Sequence, residues 1–254
     1  MQFLVILACS VLFVCVFRNV IKRFPFLLYG IALLFTLSLL AFEAGWLPRG
    51  VGIFLIIAMR RGGLGMAFLT IVMFIGVLPL DGRPSKWLRP IRSELSIAGC
   101  ILIAGHIMIY APSFAFPFLA GNIARIYIGT SVAIALCLFV LLLLLGVTSL
   151  RVVKRHMDTS TWKAVQRLAY VFYGFVYLHL MLMIAPSAAT GAMPALGNAI
   201  AYTAVVVSYA VLRIERALTD RHESLCLGDK MSSHFNPGLG DVSGSRSSDE
   251  TEAC

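Results

Sequence analysis

Long apolar runs alternate along the chain with short polar or basic segments. The runs lie near residues 2–17, 24–43, 63–80, 94–112, 126–149, 162–184 and 195–213. A helix needs about twenty mainly apolar residues to cross a bilayer, so the pattern predicts about seven transmembrane helices. Segment 50–59 is too short to cross, and the basic residues that bound it favour a position along the membrane surface.

These runs predict an all-α, polytopic transmembrane helical bundle. The predicted organisation is two N-terminal transmembrane helices in 1–48 and a bundle in 49–214. Residues 224–254 depart from the pattern, because they are rich in Ser, Gly and Asp and contain few large apolar side chains. Such a segment buries too little apolar surface to fold alone, so we expect 215–254 to form a disordered cytoplasmic tail.

Composition agrees with a protein that is solvated by lipid. The chain is 59% hydrophobic and 13% charged, whereas soluble domains have about 25% charged residues. The net charge of +9 is unevenly placed: residues 1–213 hold 17 Lys and Arg against 4 Asp and Glu, and the remaining residues hold 4 against 8. Short basic clusters between apolar runs set membrane topology, and we therefore predict no nucleic-acid partner.

The basic clusters also predict an orientation. Loops 18–23, 81–93 and 150–161 are basic and lie on one side of a seven-helix arrangement. The positive-inside rule places them in the cytoplasm with the C-terminus, and it places the N-terminus outside a plasma or inner membrane. Positive charge follows the first apolar run instead of preceding it, which favours a retained helix over a cleaved signal peptide.

Two histidines, His106 and His179, are the ionisable side chains placed deep inside the predicted spans. They lie six and seven residues before Pro112 and Pro186, so both imidazoles are expected about 10 Å from the outer helix ends. An ionisable residue at membrane depth indicates a functional site. Two neutral imidazoles at equal depth suit the two axial positions of a b-type haem in a bundle.

The flanking residues fit this interpretation and a simpler one. Gly99 is two turns before His106, where a missing side chain leaves room for a flat ring. Phe172, Phe175, Val176 and Met183 have the helical spacing of an apolar pocket wall beside His179. All of these residues also suit ordinary helix packing. For the histidine pair, a proton or substrate pathway and a structural polar contact between helices are the alternatives.

Four segments resemble one family in the same order along the chain. They are 62–80 (GGLGMAFLTIVMFIGVLPL), 92–110 (RSELSIAGCILIAGHIMIY), 125–149 (RIYIGTSVAIALCLFVLLLLLGVTS) and 162–179 (WKAVQRLAYVFYGFVYLH). All four are similar to segments of the haem-binding membrane subunit of bacterial periplasmic methionine-sulfoxide reductase systems. This MsrQ/YedZ family belongs to the ferric-reductase-like transmembrane domain group.

The resemblance covers roughly residues 50–185 and implies that His106 and His179 are paired haem ligands. The chain departs from the pattern at Gln166, where the family has a third histidine linked to a second haem. One haem b is therefore expected, because Gln166 replaces the ligand of the second. His156 is a possible substitute ligand or a solvated loop histidine.

The resemblance also implies a membrane b-type cytochrome, an electron-transfer subunit rather than a stand-alone enzyme. Membrane quinol is the expected donor, and an extracytoplasmic reductase, such as a methionine-sulfoxide reductase, is the expected acceptor. FMN or quinone are further cofactors to consider. The alternatives are service to another secreted flavoprotein, metal reduction, or a non-redox transporter or membrane scaffold.

Overall fold

The computed structural model describes residues 2–79, 82–121 and 126–235, which are almost entirely helical. The helices in chain order are α1 (Gln2–Arg23), α2 (Pro25–Glu43), α3 (Arg49–Leu55) with a π-helical turn (Ile56–Arg60), α4 (Gly63–Val77), α5 (Arg83–Leu88) with a 3₁₀ turn (Arg89–Ile91), α6 (Arg92–Tyr110) with a π-helical turn (Ala111–Ala115), α7 (Phe116–Leu119), α8 (Ile126–Ser149), α9 (Arg151–His156), α10 (Thr159–Ala189) and α11 (Met193–Phe235). The prediction of an all-α polytopic bundle is confirmed.

Six helical stretches in the described part of the chain are long and apolar enough to cross a membrane. The remaining predicted span is α4, which has 15 residues and is about 22 Å long at 1.5 Å per residue. That length is short of the ~30 Å hydrocarbon core. Most side chains of α4 are buried by neighbouring helices, so α4 is the central helix of the bundle.

Helices α4 and α6 are antiparallel, and glycines let their backbones approach closely. A Cβ atom on Gly65 would lie 2.7 Å from Cγ1 of Ile103 and 3.0 Å from its backbone nitrogen. Further along the pair, a Cβ on Gly76 would lie 3.3 Å from the Arg92 guanidinium. Small residues at such crossings allow helix backbones to pack in membranes, which fixes the position of α6 against α4.

Two predicted helix ends are wrong, because the prolines that mark them do not end the helices. Pro112 lies in a π-helical turn that joins α6 to α7, and Pro186 lies inside α10. Proline is tolerated within membrane helices when local π or 3₁₀ geometry and neighbouring groups accommodate the freed carbonyls. Both helical stretches therefore run on past the predicted outer ends.

Segment 50–59, which is predicted to lie along the membrane surface, packs on one side against the bundle. Leu55, Ala58 and Met59 in this segment are buried in an apolar cluster that contains residues of α1, α2, α4 and α6. The segment is helical, as α3 and its π-helical turn, and one side of it belongs to the bundle core. Ile53 and Ile57, by contrast, are exposed.

The described residues up to Tyr209 form one compact unit, which includes the two N-terminal helices, and the described residues from Ala210 onward form a second. The prediction of disorder from residue 215 is wrong up to Phe235, where α11 ends. Residues 214–235 contain many good helix formers, including Glu, Arg, Leu, Lys and Met. Helix propensity therefore accounts for the helix in these residues, whereas the prediction considered only how little apolar surface they bury. The tail prediction for 236–254 lies outside the described residues.

Candidate haem-ligand site

His106 is held by a backbone carbonyl from another part of the chain. Its Nδ1 atom lies 2.9 Å from the carbonyl oxygen of Arg60. Arg60 is the last residue of the π-helical turn, and carbonyls at helix ends lack partners within the helix. A carbonyl oxygen only accepts hydrogen bonds, so Nδ1 of His106 carries the proton and donates it.

The segment that presents this carbonyl turns sharply beside the imidazole. Gly62 has φ of +73°, and a Cβ at this residue would lie 3.5 Å from Cγ of His106. The Arg60 side chain forms an ion pair with Glu43 at 3.2 Å, without hydrogen-bond geometry at Nε. Because both partners are partly exposed, that pair is a weak tether, and the left-handed turn at Gly62 contributes more to the placement.

His179 is anchored in a similar way on α8. Its Nδ1 atom lies 2.9 Å from Oγ of Ser131 and 3.1 Å from the Ser131 carbonyl oxygen. The carbonyl is an acceptor, which again favours a proton on Nδ1. In a neutral imidazole the other nitrogen then has a free lone pair, so Nε2 of His179 is available to accept a hydrogen bond or to bind a metal.

His106 lies on α6 and His179 lies on α10. Neighbouring residues of α6 and α10, namely Ile103, Ile107, Val176 and Leu180, pack in one apolar cluster. No hydrogen bond among the described residues involves Nε2 of either histidine. The pair therefore combines two anchored rings with two unprotonated nitrogens in apolar surroundings.

The expected equal depth is only approximate. His106 lies 13 residues before Leu119, where its helical stretch ends, and His179 lies 10 residues before Ala189. The difference of three residues corresponds to about 5 Å along the helix axes. The prediction of about 10 Å from each helix end is corrected, because it was measured from Pro112 and Pro186.

Two histidines that are each anchored at Nδ1 are the kind of donor set that a bis-histidine haem uses. Histidine ligands commonly donate Nδ1–H to a carbonyl and bind the metal through Nε2, since the hydrogen bond fixes the tautomer and ring orientation. The described residues contain no group of three or more His, Cys, Asp or Glu side chains suited to a metal ion. A b-type haem needs two axial ligands from the protein, and His106 and His179 provide that number.

Gly99 faces α4. A Cβ at this position would lie 3.0 Å from Cδ2 of Leu69 and 3.5 Å from the carbonyl oxygen of Gly65. These contacts account for a glycine at this point by helix packing. Its predicted role beside a porphyrin stays a prediction.

The residues predicted to form a pocket wall beside His179 differ in their exposure. Phe172 and Val176 are buried, whereas Phe175 and Met183 are exposed. Val176 also lines a cavity of about 10 Å³ with Thr70, Tyr173 and other side chains. That volume suits about one water molecule, so this cavity is far smaller than a porphyrin.

The structure identifies a buried carboxylate that the sequence pattern did not indicate. Glu94 is 2% exposed and accepts a hydrogen bond from the Tyr29 hydroxyl. The prediction placed Glu94 at the boundary of a span, but helical structure begins earlier, at Arg83. A lone acidic residue at the start of an apolar helix is the signal that could have indicated a buried partner.

Gln166 and His156 have local partners. Nε2 of Gln166 donates to Oγ1 of Thr148 across the α8–α10 contact, at 3.2 Å. Nδ1 of His156 is 2.8 Å from the Val152 carbonyl, one turn earlier in α9, and the His156 side chain is exposed. Both contacts are those of ordinary structural residues.

Comparison with known proteins gives one informative similarity. Over 163 residues, 63% of the chain, the sequence is 36% identical to an uncharacterised protein of Treponema pallidum (strain Nichols). The chain covers 45% of that protein's length, so it spans less than half of this relative. No family model matches the chain, and no solved structure matches it. The chain is similar to part of a longer Treponema protein.

Proposed function

We propose that this protein is a membrane b-type cytochrome subunit that carries electrons through a single haem. His106 and His179 are its axial ligands, each through Nε2. The observation that supports this most strongly is the pair of Nδ1 anchors, at the Arg60 carbonyl and at Ser131. Both anchors leave the metal-binding nitrogen unprotonated.

The energetics of an unpaired nitrogen favour a ligand. A buried acceptor without a partner costs about 1–3 kcal/mol, and water is scarce inside a membrane bundle. Both histidine side chains are partly exposed, so only part of this cost applies to each Nε2, and a bound metal would remove it. A metal centre satisfies both at once, whereas a hydrogen bond between the histidines would need a proton on one Nε2.

The chain would supply ligands, position and a low-dielectric environment. His106 and His179 would hold the haem, which when bound would supply the one-electron redox chemistry. The short side chains of the α4–α6 crossing hold α6, and with it His106, in place. Ser131 holds His179 from α8.

The proposed setting is a plasma or inner membrane, with the N-terminus outside and the C-terminus in the cytoplasm. Membrane quinol is the proposed donor, and an extracytoplasmic reductase, such as a methionine-sulfoxide reductase, is the proposed acceptor. Another secreted flavoprotein or a metal reductase would use the same electron path. The basic loops and the position of the histidines in the later halves of α6 and α10 support this direction.

An optical spectrum tests the proposal. The protein purified from cells with ample haem supply is expected to show a Soret band and a sharp reduced α-band, with one haem per chain. H106A and H179A should each lose these bands. H156A is the matched control and should retain them, because His156 is exposed and bonded within its own helix. A colourless wild-type protein would exclude the cytochrome function.

A further inference from the structure

Ser131 lies at the contact between α8 and α10, where it is fully buried. Both its hydroxyl oxygen and its carbonyl oxygen are within hydrogen-bond distance of Nδ1 of His179, at 2.9 and 3.1 Å. The adjacent residue behaves differently, because the hydroxyl of Thr130 donates to the Ile126 carbonyl of its own helix. Ser and Thr in membrane helices commonly make that local bond. The Ser131 hydroxyl is instead directed to another helix.

The hydroxyl and carbonyl oxygens of Ser131 both lie beside the single proton on Nδ1 of His179. Nδ1–H of His179 faces a carbonyl that only accepts, so the hydroxyl oxygen also acts as an acceptor, and the hydrogen bond is shared between them. Acceptors at Nδ1 increase the basicity of a histidine ligand and fix its ring orientation. His106 has a single acceptor, the Arg60 carbonyl. The two imidazoles are therefore unequal.

We infer that Ser131 is a positioning residue that raises the basicity of His179 as an axial ligand and thereby lowers the midpoint potential of the haem. This inference rests on the proposed function. A more basic axial ligand stabilises ferric over ferrous iron, because the ferric ion carries more positive charge. Removing the hydroxyl leaves the carbonyl as an anchor but weakens this stabilisation.

The test compares S131A, S131T and T130A in the full-length protein with haem bound. We expect S131A to keep the haem, to shift the midpoint potential upward and to change the low-temperature EPR spectrum of the ferric state. S131T, which retains a hydroxyl, should stay close to wild type in both measurements. T130A removes a hydroxyl that is bonded within α8 and should have no effect on either.

The outcomes separate this inference from the proposed function. A wild-type protein that contains no haem would rule out both the proposed function and the role of Ser131. A wild-type protein with haem, together with an S131A variant of unchanged potential and EPR spectrum, overturns the role of Ser131 alone. If S131A fails to retain haem, full retention by S131T supports the hydroxyl, and loss from both variants overturns its role.

Discussion

Nδ1 of His106 lies 2.9 Å from the carbonyl oxygen of Arg60, a residue 46 positions earlier in the chain. The connection that follows Arg60 reverses the backbone at Gly62, whose φ is +73°. A Cβ at Gly62 would be in van der Waals contact with the His106 ring, at 3.5 Å from Cγ. Anchor, turn and imidazole are thus packed as one structural unit.

Substitution of Gly62 by alanine is expected to disturb the histidine as well as the backbone. The left-handed conformation costs an L-residue roughly 1–2 kcal/mol, and relief of that strain would move the Arg60 carbonyl. We expect G62A to unfold at a lower temperature in detergent and to bind less haem. Thermal unfolding and haem content of the purified variant measure the two effects.

Gly45 provides the matched control for Gly62. Its φ is +80°, and a Cβ there would meet nothing within 4 Å. G45A should therefore show a similar loss of thermal stability with unchanged haem content. Equal haem loss in both variants would show that general destabilisation, rather than the contact with His106, is responsible.

The α4–α6 crossing is a second point at which one methyl group should have a large effect. A Cβ at Gly65 would lie 2.7 Å from Cγ1 of Ile103 and 3.0 Å from its backbone nitrogen. Backbone cannot yield as a side-chain end can, so we expect G65A to destabilise the fold by about 1–3 kcal/mol. Unfolding by denaturant in mixed micelles measures this change.

Gly174 in α10 is the appropriate comparison, because a Cβ there meets nothing within 4 Å. Alanine has the higher helix propensity by about 1 kcal/mol, so G174A is expected to be neutral or stabilising. A G65A protein as stable as G174A would contradict the close crossing of α4 and α6.

The fold class was predictable because apolar runs of membrane length have few alternatives in lipid. Helix ends were less predictable, since Pro112 and Pro186 are accommodated by π geometry and by neighbouring helices. The predicted disordered tail begins too early, because α11 continues to Phe235 through the helix propensity of its residues. Sequence patterns indicate burial well and indicate the exact ends of helices poorly.

The two histidines were singled out by their depth in the predicted spans, and their pairing stays a prediction; their hydrogen-bond anchors could not be predicted. The Arg60 group that His106 contacts is a backbone carbonyl, which every residue has, so no residue type marks it. Ser131 lies 48 positions before His179, and only the packing of α8 against α10 brings them together. Gly99 shows the same limit, because helical spacing placed it on the face of His106 but could not identify Leu69 opposite it.

Asp158 is expected to stabilise α10 in a pH-dependent way. Its carboxylate accepts hydrogen bonds from the Ser160 hydroxyl and from the backbone amides of Ser160 and Thr161, which cap the helix. These bonds, the Ser160 hydroxyl first, hold the pKa of Asp158 below its ordinary value. A lowered folded-state pKa gives stability that is present above the unfolded pKa and is lost as pH falls through the folded one.

The comparison of wild type with D158A should therefore depend on pH. We expect wild type to have the higher unfolding temperature at pH 7, and the difference to decrease as the pH falls below about 4. D158N is the control, because asparagine caps helices about as well as aspartate and does not titrate. A wild-type advantage over D158A that is the same at pH 7 and pH 3 would exclude the ionised cap as its source.

Gln166 tests the expectation of a single haem. Its side-chain amide donates to Oγ1 of Thr148, and Trp162 donates to the Thr148 carbonyl beside it. Interhelical hydrogen bonds of this kind contribute about 0.6 kcal/mol in membrane proteins. We expect Q166L to lose about that much stability, and a double-mutant cycle with T148V to assign the loss to this pair.

Haem content distinguishes that structural role from a second cofactor site. Q166L should bind as much haem per chain as wild type, because Gln166 is paired with α8 and its amide is a poor ligand for iron. The pyridine haemochrome assay, normalised to protein, gives this ratio directly. If wild type held two haems and Q166L held one, Gln166 would belong to a second haem site, and the single-haem proposal would be wrong even though His106 and His179 remained ligands of the first.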